Sequence, residues 1–268
     1  MLVSLACVVM QVWLVSGTDA EPGIQAWSLN HLGFATWGPT RNEVLDRVPG
    51  KLAAHMQWLA EHQLPSQEVH DQRVEVVQVV FGHEPLFDHD REPATDGEID
   101  LAMALLGSSH HDLVALLNSV PDAFLTWEPP YRRFADWADW RTVGGTLAHI
   151  ANAESHYYLA MIGYEAQRTT VTSEDDWQAY LPSVRSDTIA CLGHLRSSAD
   201  RARVQSHVRK GRRAPNGEVE EWSVRKALRR IVRHDLLHIR SIQRIRQEWE
   251  TAITVTPLTP DPKRYRHI

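Results

Sequence analysis

The chain has 268 residues, 28 Lys plus Arg against 34 Asp plus Glu, a net charge of −6, 15 His and 2 Cys. Its 43% hydrophobic and 23% charged content excludes wholesale disorder, and its length allows one large domain or two modest ones. Two cysteines, Cys7 and Cys191, are too few for a disulfide framework or a thiolate zinc site; they point to a reducing, cytoplasmic compartment, and the acidic total disfavours a dedicated nucleic-acid coat.

Residues 1–15, MLVSLACVVMQVWLV, form the most apolar run. No Lys or Arg precedes it, as a secretory leader requires, and it is shorter than the ~20 residues of a membrane-spanning helix. Val3, Val8, Val9, Val12 and Val15 suit a buried strand instead. Turn residues at Gly17-Thr18-Asp19 and Pro22-Gly23 lead to a second strand over 24–37, pairing back on the first. Thr40-Arg41-Asn42-Glu43 is a capping box, and Val44, Leu45, Val48, Leu52, Met56 and Leu59 follow at helical spacing. Pro49-Gly50 is expected to kink or split that helix. A third strand over 73–81 completes a ββαβ unit, residues 1–82.

The stretch LGFATWGPTRNEVLDRVPGKLAAHMQWL, after its two-strand start, resembles HicB-like domains in the order strand, Gly/Thr turn, helix. No DNA-binding segment follows, so the resemblance implies a small module that packs or dimerises and carries over no transcription-factor function.

Residues 83–96, charged and with two prolines, read as a linker. Beyond it the spacing predicts helices over 97–119, 142–163, 183–205 and 223–249, with no strand-like alternation between them. That is a four-helix bundle over 97–250, followed by a proline-bearing flexible tail over 251–268. The fold class is therefore a two-domain α+β chain.

The strongest chemical signal is His234-Asp235-Leu236-Leu237-His238. Histidines four apart share one helix face and reach one ion. The stripe Val224, Leu228, Ile231, Ile242, Ile245 and Trp249 places both among core positions, while Arg225, Arg229, Arg233, Arg240 and Arg244 are expected on the solvated side. No Glu directly follows His234, so the His-Glu-x-x-His pattern of a metalloprotease is absent. A third ligand has to come from another helix. In 142–163 the stripe is Val143, Leu147, Ile150, Tyr157 and Met161. His149 lies on a flank with the small residues Thr146, Ala153 and Ala160, and Glu154 lies nearer the stripe's centre, as a rival ligand or as an acceptor for a ligating imidazole. Periodicity does not choose between them.

Trp140-Arg141-Thr142-Val143 with Leu147-Ala148-His149-Ile150-Ala151-Asn152-Ala153-Glu154 resembles the second helix of DinB-like (DinB/YfiT-type) proteins. Trp222-Ser223-Val224-Arg225-Lys226-Ala227-Leu228, then His234 to Ile239, resembles their fourth. The resemblance covers residues 97–250. It implies a four-helix bundle holding a divalent ion, Zn or Ni, on His149, His234 and His238. In two small departures, Trp140 stands one residue farther from its helix and Asp235 replaces the commoner Glu. Family members include bacillithiol- and mycothiol-dependent transferases and an isomerase. The resemblance thus implies thiol S-transfer, or hydrolysis, on a small electrophilic substrate, with a low-molecular-weight thiol as co-substrate.

Thr142 and Ser223 are placed as helix N-caps. Glu154 and Asp235 are candidates for orienting ligand histidines or moving protons. His156, His110 and His111 read as surface histidines, Tyr157 and Tyr158 as core or site wall, and Cys191 as a small core residue. Residues 201–246 hold 14 Lys or Arg against 4 Asp or Glu, a local net of +10 that includes the loop Arg209-Lys210-Gly211-Arg212-Arg213. Nucleic-acid binding is therefore the rival class, disfavoured because the arginines of the last helix lack interleaved aromatics. A non-catalytic, metal-retaining interaction protein, dimerised through the N-terminal unit, is the third.

Overall fold

The computed structural model describes residues 9–17, 23–66, 69, 73–129, 140–197, 209–213 (backbone) and 219–254. The expected strand residues 1–8 and the tail beyond 254 lie outside these. No helix among the described residues is long and apolar enough to cross a membrane.

Strand β1 (Met10–Ser16) pairs antiparallel with β2 (Ile24–Trp27), which pairs antiparallel with β3 (Ala35–Gly38). Helix α1 (Arg41–Glu61) then crosses over to β4 (Val74–Phe81), parallel to β1, giving the order β3-β2-β1-β4. The expected single strand over 24–37 is thus two strands. The chain reverses through a turn in which the Ser28 hydroxyl meets His31 Nδ1 at 2.9 Å and Gly33 adopts φ +84°. A Cβ on Gly33 would lie 2.8 Å from Leu236 and Val232, so glycine lets this turn touch the last helix.

Thr40 caps α1 as its sequence implies, accepting from the Glu43 amide. The helix runs unbroken through Pro49, against expectation. The proline removes one hydrogen bond on a half-exposed flank, while Val44, Val48, Leu52 and Leu59 stay packed on the other, and that packing holds the helix together.

The C-terminal part is helical. Helix α2 (Asp96–Asn118) starts at a Thr95/Glu98 capping box and is followed by the short α3 (Asp122–Thr126). Helix α4 (Val143–Ala153), capped by Thr142, continues through a π-helical turn (Glu154–Tyr158) into α5 (Leu159–Met161). Helix α6 (Trp177–Ser197) begins earlier than the expected residue 183 and runs through Pro182. An unexpected hairpin, β5 (Arg209–Arg213) with β6 (Val219–Trp222), precedes α7 (Val224–Thr254), whose first turn Ser223 caps. The basic loop 209–213 is therefore a paired strand, because Val219-Glu220-Glu221-Trp222 offers it a ladder; its side chains lie outside the described residues.

The largest departure concerns α7. Its arginines are not solvated: Arg225, Arg229 and Arg233 are buried, and Arg240 and Arg244 are half-buried. The stretch expected as a linker is a packed strap over Arg225 and Arg229, with Phe87 and Asp90 fully buried, while Arg240 meets His55 of α1. Arg229 grips Asp90 through two nitrogens at 2.6 and 3.2 Å, under the rings of Trp27 and Phe87. Arg225 bonds to Glu92 and Glu98, Arg230 to Glu84, and Lys226 to the Glu84 and Glu221 carbonyls. The strap is charged because it neutralises a helix face, a pairing invisible when either segment is read alone.

A second tie joins α1 to α2, where Asp112 accepts from Trp58 Nε1 and His62 Nε2, both at 2.9 Å. Burial pulls the His62 pKa down, but the bonds to Asp112 and the Trp58 carbonyl outweigh it and leave it raised.

Two outcomes are expected. Asp90→Ala strands a buried guanidinium and should cost about 3–5 kcal/mol in urea unfolding, whereas Glu221→Ala, at the exposed pair with Arg91, should cost under about 1 kcal/mol. A histidine with a raised folded pKa stabilises fully below its unfolded value, about 6.5, and loses that contribution as pH rises through the folded one. The stability gap between the wild-type chain and His62→Gln should therefore be widest below about pH 6.5 and shrink as pH rises above it, read from paired urea melts.

Candidate metal centre

Three imidazoles meet between α4 and α7. His149 Nε2 lies 2.9 Å from His234 Nε2, which lies 3.1 Å from His238 Nε2. A helical turn separates His234 from His238, so both rings leave α7 on one side, and His149 reaches across from α4. His238 is buried and the other two are half-buried. Burial, reinforced by His238 and His149, holds the His234 pKa well below the ordinary imidazole value, so it presents a lone pair.

Neutral nitrogens pointing at one another repel unless something electrophilic sits among them. Tetrahedral Zn²⁺ with Zn–N of about 2.0–2.1 Å separates its nitrogens by about 3.3 Å, a few tenths of an ångström more than the two contacts at His234, and all three donor atoms lie within 4.8 Å of one another. The donor type suits Zn, Ni, Co or Fe over Mg or Ca. The residues fit a divalent ion.

Aromatic rings wall the trio. Trp140 stacks on His149, 3.6 Å between centroids and 14° from parallel, and meets His238 edge-on at 6.3 Å. A Cβ at Gly145 would stand 3.2 Å from that of Trp140, so glycine makes the room. Tyr158 meets His234 edge-on at 5.2 Å. The π-helical turn accounts for this: its extra residue delays the helical phase, bringing Tyr158 rather than Tyr157 beside the histidine. Tyr157 instead donates to Glu220 at 3.0 Å.

Glu154 and Asp235 are both buried, and neither joins the ligand cluster. Both pair with Arg185 of α6, at 3.2 and 3.0 Å, and Asp235 also accepts from the Ser109 hydroxyl of α2. Burial, with Asp235 nearby, raises the Glu154 pKa against the opposing pull of Arg185. His110 is half-buried, its pKa lowered by burial and then by Arg185, while His111 is exposed and His156 half-buried. Cys191 is a half-buried free thiol whose pKa burial pushes up to about 11, in keeping with packing and not with reactivity. Sequence reasoning missed Ser109 and Arg185, which carry no spacing signal toward the histidines, and read Trp140 as part of a family motif without placing it on His149.

A helical bundle with histidines from two helices converging inside it has the layout of bundles that can hold a metal ion. The family model of the DinB superfamily matches residues 105–242, just over half of the chain, and the chain belongs to that superfamily. The match includes all three histidines, and nothing in it bears on the HicB-like resemblance of residues 1–82. No curated protein and no solved structure matches the chain.

Because Trp140 fixes the plane of the His149 ring, Trp140→Ala should weaken divalent-metal binding by about tenfold or more, while Trp140→Phe, which keeps a stacking face, should retain most of it. Competition against a chromophoric chelator measures both.

Proposed function

We propose that the chain is a divalent-metal-dependent enzyme, with Zn or Ni on His149, His234 and His238, that carries out thiol S-transfer or hydrolysis on a small electrophilic substrate. The observation that carries the reading is the convergence of three Nε2 atoms, with His234 held neutral by burial. Three nitrogen ligands leave positions open, and an ion so held lowers the pKa of a bound water or thiol toward neutrality. The chain's own groups do the rest. Trp140 and Tyr158 wall the site and limit water, and Trp140 sets the His149 plane. Glu154, its pKa raised by burial, is suited to holding a proton, and Asp235, fixed by Ser109 and Arg185, steadies the helix at His234. The co-substrate in this reading is a low-molecular-weight thiol, the compartment the reducing cytoplasm, and the N-terminal sheet a HicB-like packing or dimerising module.

A nucleic-acid role fits less well, because Arg225, Arg229 and Arg230 are already engaged by Glu98, Asp90 and Glu84.

Metal analysis of the purified chain should find stoichiometric divalent metal, lost in His149→Ala, His234→Ala and His238→Ala. Metal that survives all three changes overturns the ligand assignment. A panel of low-molecular-weight thiols with electrophiles, beside simple esters and amides, should then show turnover that vanishes with the metal; a loaded protein inert to the whole panel is a metal-retaining scaffold.

A further inference from the structure

Four buried groups, one from each long helical segment of the bundle, meet at the residue that follows His234: Ser109 of α2, Glu154 of the π-helical turn after α4, Arg185 of α6 and Asp235 of α7. We infer that Arg185 is a positioning residue for the histidine trio, setting the separation of the two helices that supply it. This rests on the metal reading above and extends it to a helix that contributes no histidine.

A single nitrogen, Arg185 Nη2, faces both carboxylates, Glu154 Oε2 at 3.2 Å and Asp235 Oδ1 at 3.0 Å. One carboxylate belongs to the segment bearing His149, five residues upstream, and the other directly follows His234 in α7. Between each carboxylate and its histidine runs only a short length of hydrogen-bonded helix, too stiff to absorb a change in the spacing between the two. Without the guanidinium, two buried acids would face each other with no cation between them, and the segments would separate or one acid would take up a proton. Metal–ligand distances tolerate only about 0.2 Å, so even a small separation of α4 from α7 is felt at the nitrogens. Ser109 holds Asp235 from the opposite side through a hydroxyl donated by α2. The carboxylate is thereby fixed from two helices at once, as an anchor for a ligand-bearing turn requires.

Lysine at position 185 keeps the charge, but its stem is one bond shorter and its ammonium stops short of the place where Nη2 faces both acids. Co²⁺ serves as probe, because its absorption bands report ligand geometry independently of any turnover. In the full-length chain, Arg185→Lys should stay folded by circular dichroism, bind Co²⁺ about 10- to 100-fold more weakly and shift the visible bands. Ser109→Ala, a smaller change, should lose affinity in the same direction, and it decides the matter if Arg185→Lys does not fold. Leu192→Ala, which opens a cavity in the same helix away from the carboxylates, should lower the melting temperature while keeping Co²⁺ affinity and spectrum. The inference fails if Arg185→Lys and Ser109→Ala bind Co²⁺ as wild type, or if Leu192→Ala loses as much affinity as Arg185→Lys. A wild-type chain that takes up no Co²⁺ overturns the metal reading and this inference together.

Discussion

The geometry of the site depends on the burial of a cationic helix face. Helix α7 carries His234 and His238 on one side and Arg225, Lys226, Arg229 and Arg230 over much of the rest, and little of its first four turns is exposed. Burying such a face without partners would cost several kcal/mol per charge, so the strap between β4 and α2 has to supply carboxylates and carbonyls at matching positions. Glu84, Asp90 and Glu92 do so, joined by Glu98 from the first turn of α2, and Trp27 and Phe87 cover the Arg229 guanidinium. Pairs of this kind add little net stability compared with a well-packed apolar interface, but they are intolerant of misregister. Turning α7 by one residue, about 100°, would strand several cations at once and swing both histidines out of the bundle. The strap thus selects the rotation of the helix on which the site depends.

The same arrangement sets the electrostatics of the trio. Arg230 and Arg233 add to burial in depressing proton affinity at His234, which keeps its nitrogen available as a donor. Cationic neighbours alone would also repel a divalent ion. Glu84 pairs with Arg230, and Glu154 and Asp235 both face Arg185. The donor nitrogen at His234 thus resists protons, while these carboxylates offset part of the cationic charge of the surrounding arginines.

The histidine spacing and the N-caps at Thr142 and Ser223 were legible in the sequence, because each obeys a local rule of the helix. What stayed hidden was non-local. The charged stripe of α7 follows the pattern of a solvated face, and only its strap shows otherwise. The strap looks like a linker because prolines and charges are what a spacer also contains. In α4, periodicity ran correctly to Glu154 and then slipped, since the π-helical turn inserts a residue that the 3.6-residue repeat does not anticipate, so Tyr158 takes the inward place expected of Tyr157. The division of 24–37 into β2 and β3 turned on Gly33, whose positive φ is required by the approach of Val232 and Leu236 from the far end of the chain.

These contacts bear on where the functional unit ends. The superfamily match begins at residue 105, yet Glu84, Asp90, Glu92 and Glu98, the Trp27 ring and the Gly33 turn all precede it and all bear on α7. Taken away, they would leave the matched segment with a basic, partly apolar helix face open to water and its rotation no longer specified. In this chain the N-terminal sheet and strap provide the cover, so they support the setting of the helix that carries His234 and His238.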